Sequence, residues 1–443
     1  MRVDAGQGTG IGVKRIRLIL GLAATALSAT VLLSCATAAR PAVSQFPSPV
    51  AYVTAQTPPQ VQPTATLLAL ASATATPAPP VAKRLPIDTS AAVGLWLNSP
   101  GAGSVISRVA DIAVGEVASA TRKANPTLVT LGARQVYFGY SGTITAVRSA
   151  KPNLFLYDAK QAVALASTNK EPLLNIRDPE VRALLADDSL GIVRSGGLDG
   201  IVLEGLGTDL IRADAGPVYT GTKVFTDQQR KDAVEGLLRA VRARIPDKLM
   251  VAGGYAWTDG DAFGKKATEA LELASIVDGV KVDEFLRAPA GKVTSFKKEE
   301  DWKKDIDFLG SASSDGRIVL LSTRIVITDV TAELARQWLQ YTVVSYLVGK
   351  NGNHSYLQFE ATAFPNLADD PYLTAPIGSP LEAYSKSSSG IYKRQFSNGL
   401  VLINVATETK KFDVDKVYKS ISGATVDKTV SMGANSAIIL LNQ

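Results

Sequence analysis

The 443-residue sequence is poor in cysteine and histidine. Cys35 is the only cysteine and His354 the only histidine. One cysteine excludes an intrachain disulfide framework, and together the two counts exclude metal sites built from several cysteines or histidines. No Gly-x-Ser-x-Gly elbow, nucleotide loop or calcium loop with the required spacing is present. We therefore expect neither a metal nor a cofactor, and we expect His354, at the start of a strand, to be structural rather than catalytic.

The sequence also lacks a strong charge excess once its N-terminus is set aside. The formal net charge is +6, but residues 1–34 contain four bases and one acid, and without them it falls to +3. Such a small excess is a weak argument for binding nucleic acid. We therefore expect no nucleic-acid partner.

The N-terminus has the pattern of an export signal. Three bases precede an apolar stretch, residues 18–33, which is too short and too rich in small residues to read well as a membrane span. The stretch ends in Leu32-Leu33-Ser34-Cys35, which resembles the lipobox of bacterial lipoproteins. This resemblance implies that residues 1–34 are removed, that Cys35 carries a lipid, and that the protein is anchored to the membrane outside the cytoplasm. An ordinary signal peptide cut elsewhere and an uncleaved anchor are the alternatives.

The next segment, residues 35–85, is predicted to be a disordered tether. It is rich in Pro, Thr, Ala, Ser and Gln and carries no charge between Arg40 and Lys83. Sequences of this composition cannot bury enough apolar surface to fold.

Residues 86–384 show short apolar runs alternating with helical patterns. Helices are clearest at 227–245 and 332–347, where apolar residues recur on one face. Eight strands are predicted at 93–97, 136–139, 154–158, 200–204, 249–253, 279–283, 318–322 and 355–359. This alternation predicts an α/β fold, a (β/α)₈ TIM barrel, with an open doubly wound sheet as the alternative.

The pattern changes to short strands and turns in residues 385–443. Two alternating apolar segments flank an Asn398-Gly399 turn, as in a β-hairpin. We expect a small antiparallel β-domain to follow the barrel.

Two carboxylates stand out at predicted strand ends, which in a barrel face the active site. Glu204 closes Asp199-Gly200-Ile201-Val202-Leu203-Glu204, and Glu284 follows a second strand that opens with Asp278-Gly279. A charge placed directly after such apolar residues is costly in a core but suits the mouth of a barrel. The two Asp-Gly pairs are expected to make turns at the opposite, structural end.

These strands resemble those of the TIM-barrel glycoside hydrolases, notably the glycoside-hydrolase-like families known mainly from bacterial genomes. Gly378-Ser379-Pro380 and the following segment, from Tyr392-x-Arg394-x-Phe396 to Asn404, resemble the start of their C-terminal β-domain. Two positions depart from the family pattern. Glu204-Gly205 stands where Asp-Asn is common, and Gly253-Gly254-Tyr255 where an Asn is common.

The resemblance implies cleavage of a glycosidic bond in a polysaccharide or oligosaccharide by two carboxylates. Glu204 and Glu284 are the expected pair, with Asp158 and Asp283 as substitutes. Aromatic rings near the same face would stack on sugars, and Trp257 lies in a polar, glycine-rich loop that favours such a role. The expected substrate-binding residues are Trp96, Asp158, Tyr255, Trp257, Asp283 and Tyr356; for Trp96, core packing is an equal alternative.

Two other functions fit the same sequence. One is a non-catalytic carbohydrate-binding or envelope-structural lipoprotein on the same barrel, an alternative that the two departures from the family pattern keep open. The other is a transporter's solute-binding lipoprotein, which would share the anchor and tether. It would need two α/β lobes, and the β-rich C-terminal segment argues against it.

Overall fold

A computed structural model describes residues 88–89, 93–98, 110–117, 119–137, 151–165, 171–206, 218–220, 222–256, 272–314 and 316–443. These residues all belong to one compact unit, Pro77–Gln443. The predicted signal peptide, the predicted tether, Trp257 and Cys35, the predicted site of lipid attachment, lie outside the described residues. Within those residues, no helix combines the length and apolar character that crossing a bilayer requires.

An eight-stranded parallel sheet forms the body of the molecule. Its strands are β1 Trp96–Asn98, β2 Ile112–Val114, β3 Val129–Gln135, β4 Gly200–Glu204, β5 Leu249–Ala256, β6 Gly279–Asp283, β7 Ile318–Ile325 and β8 Ser355–Ala361. They are paired in sequential order. A parallel bridge between Leu95 and Leu357 brings the start of β1 beside β8, so the sheet nearly closes on itself. The architecture is TIM-barrel-like rather than an open doubly wound sheet.

Two of the predicted strands are wrong. Residues 136–137 follow β3 outside the sheet, and 154–158 lie in a loop whose bridges run to Leu174, Val163 and Tyr219. Leu154, Phe155 and Leu156 are nevertheless fully buried, so the apolar run signals burial and not membership of the barrel. The true strands β2 and β3 escape detection because β2 has three residues and β3 contains a glycine and an arginine.

The described helices are α1 Ser119–Ala124, α2 Pro179–Gly196, α3 Asp227–Arg244, α4 Glu299–Ser314 and α5 Ala332–Gly349. The predictions for α3 and α5 are confirmed to within two residues. The side chain of Thr226 accepts from the amide of Gln229 in a capping box, and Thr331 accepts from Leu334 at the start of α5. Shorter elements complete this part of the chain: a hairpin of Tyr219–Thr220 with Lys223–Val224, and 3₁₀ turns at Pro152–Leu154, Leu273–Ser275, Pro365–Asp369 and Pro371–Thr374.

The Asp-Gly pairs lie at the N-terminal ends of the barrel strands, here called the floor of the barrel, as predicted. Asp278 Oδ2 accepts the Met250 amide of the preceding strand at 2.9 Å, and Asp199 accepts the Thr130 amide at 2.8 Å. A Cβ at Gly279 would lie 2.2 Å from a carbonyl oxygen of the following strand, and the same holds at Gly200. The aspartate therefore fixes one neighbouring strand, while the glycine allows the other to approach.

The C-terminal segment forms antiparallel sheets, as expected. Its strands are β9 Ser385–Lys386, β10 Tyr392–Phe396, β11 Gly399–Asn404, β12 Lys410–Asp413, β13 Tyr418–Ser420, β14 Thr425–Val426, β15 Thr429–Met432 and β16 Ser436–Asn442. Six of them pair in the order β9-β10-β11-β16-β13-β14, and β12 pairs with β15. The predicted hairpin is β10–β11.

Arg394 on β10 joins this sheet to the barrel. Its guanidinium donates to the carbonyls of Leu347, Val348 and Lys350 at the C-terminus of α5, and to Asn351 Oδ1. These carbonyls have no partner within the helix, and a cation is favoured at this end of the helix dipole. The Tyr-x-Arg-x-Phe pattern therefore serves docking rather than catalysis.

Candidate active site

Two carboxylates lie at the C-terminal ends of two barrel strands that are separated by a single strand. Glu204 is the last residue of β4 and Asp283 the last residue of β6, with β5 between them. Side chains alternate along a strand, so residues two apart share a face. Val202, two residues before Glu204, belongs to the apolar cluster inside the barrel. Glu204 therefore faces the interior at its rim.

A lysine connects the two carboxylates. Lys281 Nζ lies 2.9 Å from Glu204 Oε1, and 2.8 Å and 2.7 Å from the two oxygens of Asp283. The exposed fraction of the side chain is 8% for Lys281, 13% for Glu204 and 26% for Asp283. Three ionisable groups thus share a largely buried space at the mouth.

The layer beneath these charges is apolar and fully packed. It includes Trp96, Leu320 and Tyr356 from three different strands. The Trp96 ring lies below Lys281, with Nζ 5.6 Å from the ring centroid, and the indole N–H donates to the Leu321 carbonyl at 2.6 Å. The lysine stem therefore crosses the core to bring its ammonium to the mouth.

A bulge in β5 makes room for Glu204. The pairing of β5 with β6 shifts between Ala252 and Tyr255, around Gly253 and Gly254. A Cβ on Gly253 would lie 2.6 Å from Glu204 Oε2, and one on Gly254 would lie 2.4 Å from the amide nitrogen of Gly205. The glycines are therefore needed where the longer carboxylate extends across β5.

Burial and charge act against each other on this cluster. Burial raises the pKa of Glu204, and the charge of Asp283 acts in the same direction, whereas Lys281 and Arg324 oppose the shift. Burial alone would lower the pKa of Lys281, but the two carboxylates outweigh it and raise that pKa, so the ammonium stays charged. The cluster therefore contains an acid whose pKa is raised beside a lysine whose pKa is also raised.

A family model matches residues 141–400, more than half of the chain, and the match includes Glu204, Lys281 and Asp283. Its description is hypothetical glycosyl hydrolase family 15. The chain belongs to this glycosyl hydrolase family. No curated protein matches it significantly.

Several solved glycoside hydrolases are similar in structure. An α-amylase from Anoxybacillus is 12% identical with a TM-score of 0.44, covering 73% of this chain and 78% of its own. The glycoside hydrolase domain of PelA from Pseudomonas aeruginosa is 13% identical with a TM-score of 0.39, covering 62% and 96%. A family 30 subfamily 8 xylanase from Clostridium acetobutylicum is 11% identical with a TM-score of 0.42, covering 82% and 99%. At these scores the similarities carry no argument about activity or substrate.

Glu284, the second expected catalytic residue of this glycosyl hydrolase, lies in the turn after β6. Its φ of 71° is in the left-handed region, which is unusual for a residue with a side chain. The Phe285 amide donates to the Ser322 carbonyl at 2.8 Å, and Thr323 Oγ1 donates to the Phe285 carbonyl at 2.7 Å. The turn is thus pinned to β7, and Glu284 is half-buried with Oε2 shielded from solvent.

A buried aspartate holds the same turn from behind. Asp305 on α4 accepts from the Leu286 amide at 3.1 Å and from Lys297 Nζ at 2.7 Å. Burial raises the pKa of Asp305 to about 6, against the lowering effect of Lys297. The residues that follow Asp283 are therefore anchored on both sides.

Tyr356 and Asp158 lie elsewhere than predicted, and Trp96 takes the core position that was its alternative. Trp96 is 1% exposed and Tyr356 is 0% exposed, so neither offers a ring face to a sugar. Both pack in the barrel because they face inward below the rim. Asp158 is in the loop before α2, not at a barrel strand end, and its Oδ1 accepts from the amides of Lys160 and Ala162 at 2.8 and 2.9 Å. Such a local turn is a common role for aspartate.

Two other residues singled out in the sequence, Tyr255 and His354, lie in the second half of the barrel. Tyr255 lies on β5 with its Cα in register with Val282 of β6. His354 is at the start of β8, on the floor, where its Nδ1 is 3.3 Å from the Tyr356 hydroxyl, and burial lowers its pKa. This position is at the opposite end of the barrel from the two carboxylates, in agreement with a structural role.

Sequence reasoning overlooked Lys281. Its signal was a lysine between two valines in a strand that ends in an acid, Val280-Lys281-Val282-Asp283. On a buried parallel strand, such a charge needs a partner.

Proposed function

We propose that this chain is a glycoside hydrolase that cleaves an extracellular or cell-envelope polysaccharide, with Glu204 and Asp283 as its two carboxylates. One observation carries the choice: both side chains bind the same ammonium group at the mouth of the barrel. Asp283, first considered as a substitute for Glu284, takes its place because of this contact. Membership of a glycosyl hydrolase family supports the reaction class.

The spacing of the carboxylates is compatible with retention of configuration. Because Lys281 Nζ is 2.9 Å from Glu204 Oε1 and 2.7 Å from Asp283 Oδ2, these oxygens are at most about 5.6 Å apart. Retaining enzymes place their carboxyl groups about 5–5.5 Å apart, and inverting enzymes about 6.5–9.5 Å. We expect the first product to keep the anomeric configuration of the substrate, which NMR spectra recorded early in the reaction would show.

The proposed location is the outer side of the membrane, with the lipid on Cys35. The signal-like N-terminus, the lipobox-like residues and the uncharged tether support this proposal. A Cys35→Ser variant should leave the membrane fraction and lose metabolic labelling by fatty acid. Unchanged labelling of that variant would contradict the anchor.

The test of the activity is a hydrolysis screen of the chain lacking residues 1–35 on a panel of polysaccharides. Glu204→Gln and Asp283→Asn should each abolish product formation while leaving the melting temperature near that of the unaltered protein. Glu284→Gln should retain activity. Full turnover by either of the first two variants would exclude the proposed pair, and inactivity confined to Glu284→Gln would restore the original one.

A non-catalytic carbohydrate-binding protein is the second candidate. Its support is that Lys281 bridges the two acids, as in a structural ion-pair network. Tight binding of a glycan with no turnover across the whole panel would favour it.

A further inference from the structure

We propose that Lys281 is a positioning residue that divides the roles of the two acids: it holds Asp283 as the attacking carboxylate and leaves Glu204 to carry the proton. This inference rests on the proposed function. It assigns which carboxyl is the acid, a point that the shared contact alone leaves open.

The contacts of the ammonium group are unequal. Lys281 Nζ lies 2.8 and 2.7 Å from both oxygens of Asp283, but its bridge to Glu204 uses one oxygen, at 2.9 Å. Charge-assisted contacts to both oxygens favour the ionised form of a carboxyl group more than a single contact does. The other oxygen of Glu204, Oε2, lies beside Gly253.

Exposure adds to this difference. The side chain of Glu204 is half as exposed as that of Asp283, at 13% against 26%. The ionised form is therefore more costly at Glu204. The more buried acid with fewer contacts to the cation is the one expected to hold a proton.

The charge count leads to the same assignment. One ammonium can neutralise one carboxylate, so two ionised acids beside Lys281 would leave a negative charge in a largely buried space. The positive charge of Arg324 reduces this cost by stabilising an ionised Glu204. Among the described residues, however, the two side chains do not form an ion pair. A proton on Glu204 leaves Lys281 and Asp283 as a neutral pair.

Stability alone gives no reason for a lysine at this position. Its stem crosses a layer formed by Trp96, Leu320 and Tyr356, where an apolar residue would pack without desolvating a charge. Buried ion pairs are often no more stabilising than apolar residues of similar volume. Ionisable groups with shifted pKa values are concentrated at functional sites. A role in the reaction therefore explains the presence of Lys281 at the mouth better than stability does.

The assignment gives a balanced reaction. As the glycosidic C–O bond breaks, the proton of Glu204 passes to the leaving oxygen, and a carboxylate oxygen of Asp283 forms a bond to the anomeric carbon. In the second step water attacks that carbon, its proton passes to Glu204, and the bond to Asp283 breaks. Lys281 stays protonated throughout.

The first test compares pH profiles of kcat/KM for the unaltered protein, Lys281→Met and Lys281→Arg. Removal of an adjacent opposite charge raises the pKa of a carboxyl by about 1–3 units. Both limbs should therefore move to higher pH in Lys281→Met, whereas Lys281→Arg, which keeps the charge, should leave them in place. A lower rate in Lys281→Met with unmoved limbs would reduce Lys281 to a structural role and overturn the proposal.

The second test needs no activity. Carbon-13 NMR of labelled carboxyl groups, assigned with Glu204→Gln, should show that Glu204 in the unaltered protein stays protonated to a pH above the usual range of a glutamate. A Glu204 signal that titrates within or below that range would overturn the assignment, even if Lys281→Met fails to fold. A Glu204 that keeps its proton, combined with no hydrolysis on any glycan, would support the proton assignment and reject the proposed function.

Discussion

The fit between Glu204 and Gly253 makes the most demanding prediction about this site. In Gly253→Ala, the new Cβ would lie 2.6 Å from Glu204 Oε2, 3.1 Å from its Cδ and 3.2 Å from Val202 Cγ1. Ordinary contacts of a Cβ begin at about 3.4 Å, so the carboxylate must retreat by roughly 0.8 Å. That retreat disturbs the 2.9 Å contact of Glu204 with Lys281.

The size of the effect follows from two costs. Overpacking of a close-packed site costs about 1–3 kcal/mol. Complete loss of a hydrogen bond to a charged group costs about 1.5–3 kcal/mol, and weakening it costs part of that. We expect about 2 kcal/mol to fall on the transition state, which lowers kcat/KM about 30-fold. The overpacking should also lower the melting temperature, because Glu204 is largely buried.

A double variant isolates the cause. Glu204→Asp shortens the side chain by one methylene and removes the clash, so Glu204→Asp combined with Gly253→Ala should lose less than the sum of the single losses, by about 1 kcal/mol or more. Gly191→Ala is the matched control, because a Cβ there has nothing within 4 Å. It should be as active as the unaltered protein and slightly more stable, since alanine suits a helix better than glycine. Additive losses in the double variant, or full activity of Gly253→Ala, would refute the steric reasoning.

Three further predictions concern stability. Arg394→Met should lower the free energy of unfolding by about 3 kcal/mol in a denaturant titration, because it leaves buried carbonyls of α5 without their donor; a loss below about 1 kcal/mol would contradict its docking role. Asp111 accepts from the Leu95 amide, and burial raises its pKa to about 6. The folded state therefore binds the proton more tightly than the unfolded chain, and stability falls as pH rises from about 4 to 6. Asp305, whose pKa is also raised to about 6, adds a similar fall. Asp111→Asn should therefore reduce the slope of stability against pH in thermal unfolding measured across that range, and an unchanged slope would contradict it. Gly279→Ala should yield insoluble protein on expression, since its Cβ would lie 2.2 Å from the Ile318 carbonyl oxygen; soluble protein with an unchanged melting temperature would show that β7 can move away.

Much of the barrel could be predicted from local pattern. The strands that end at Glu204 and Asp283 were located correctly because buried parallel strands read as continuous apolar runs between turns. The start of α5 followed from Thr331, whose hydroxyl accepts from the first turn. Strand β2 could not be found in this way, because three residues carry no periodicity.

The site was predictable only in part. Glu204 stood out as a charge at the end of an apolar strand, and Asp283 was named as a substitute. Their connection through Lys281 was not foreseen, since a bond between β4 and β6 depends on strand order and on the length of a lysine side chain. Tyr356 was expected to face the substrate, but it is buried inside the barrel. Side chains that face the core and side chains that face the cleft point the same way from a strand and differ only in their distance from its C-terminal end.

By itself, the sequence determined the order of apolar and polar runs, the turns at Asp199 and Asp278 and the antiparallel C-terminal segment, because these depend on neighbours along the chain. Tertiary structure alone decided which acid lies beside Glu204 and how much water reaches them. Both depend on groups about 80 positions apart that barrel closure brings within 3 Å of one ammonium group. Charge and burial in that space, rather than any local motif, select the proposed catalytic pair.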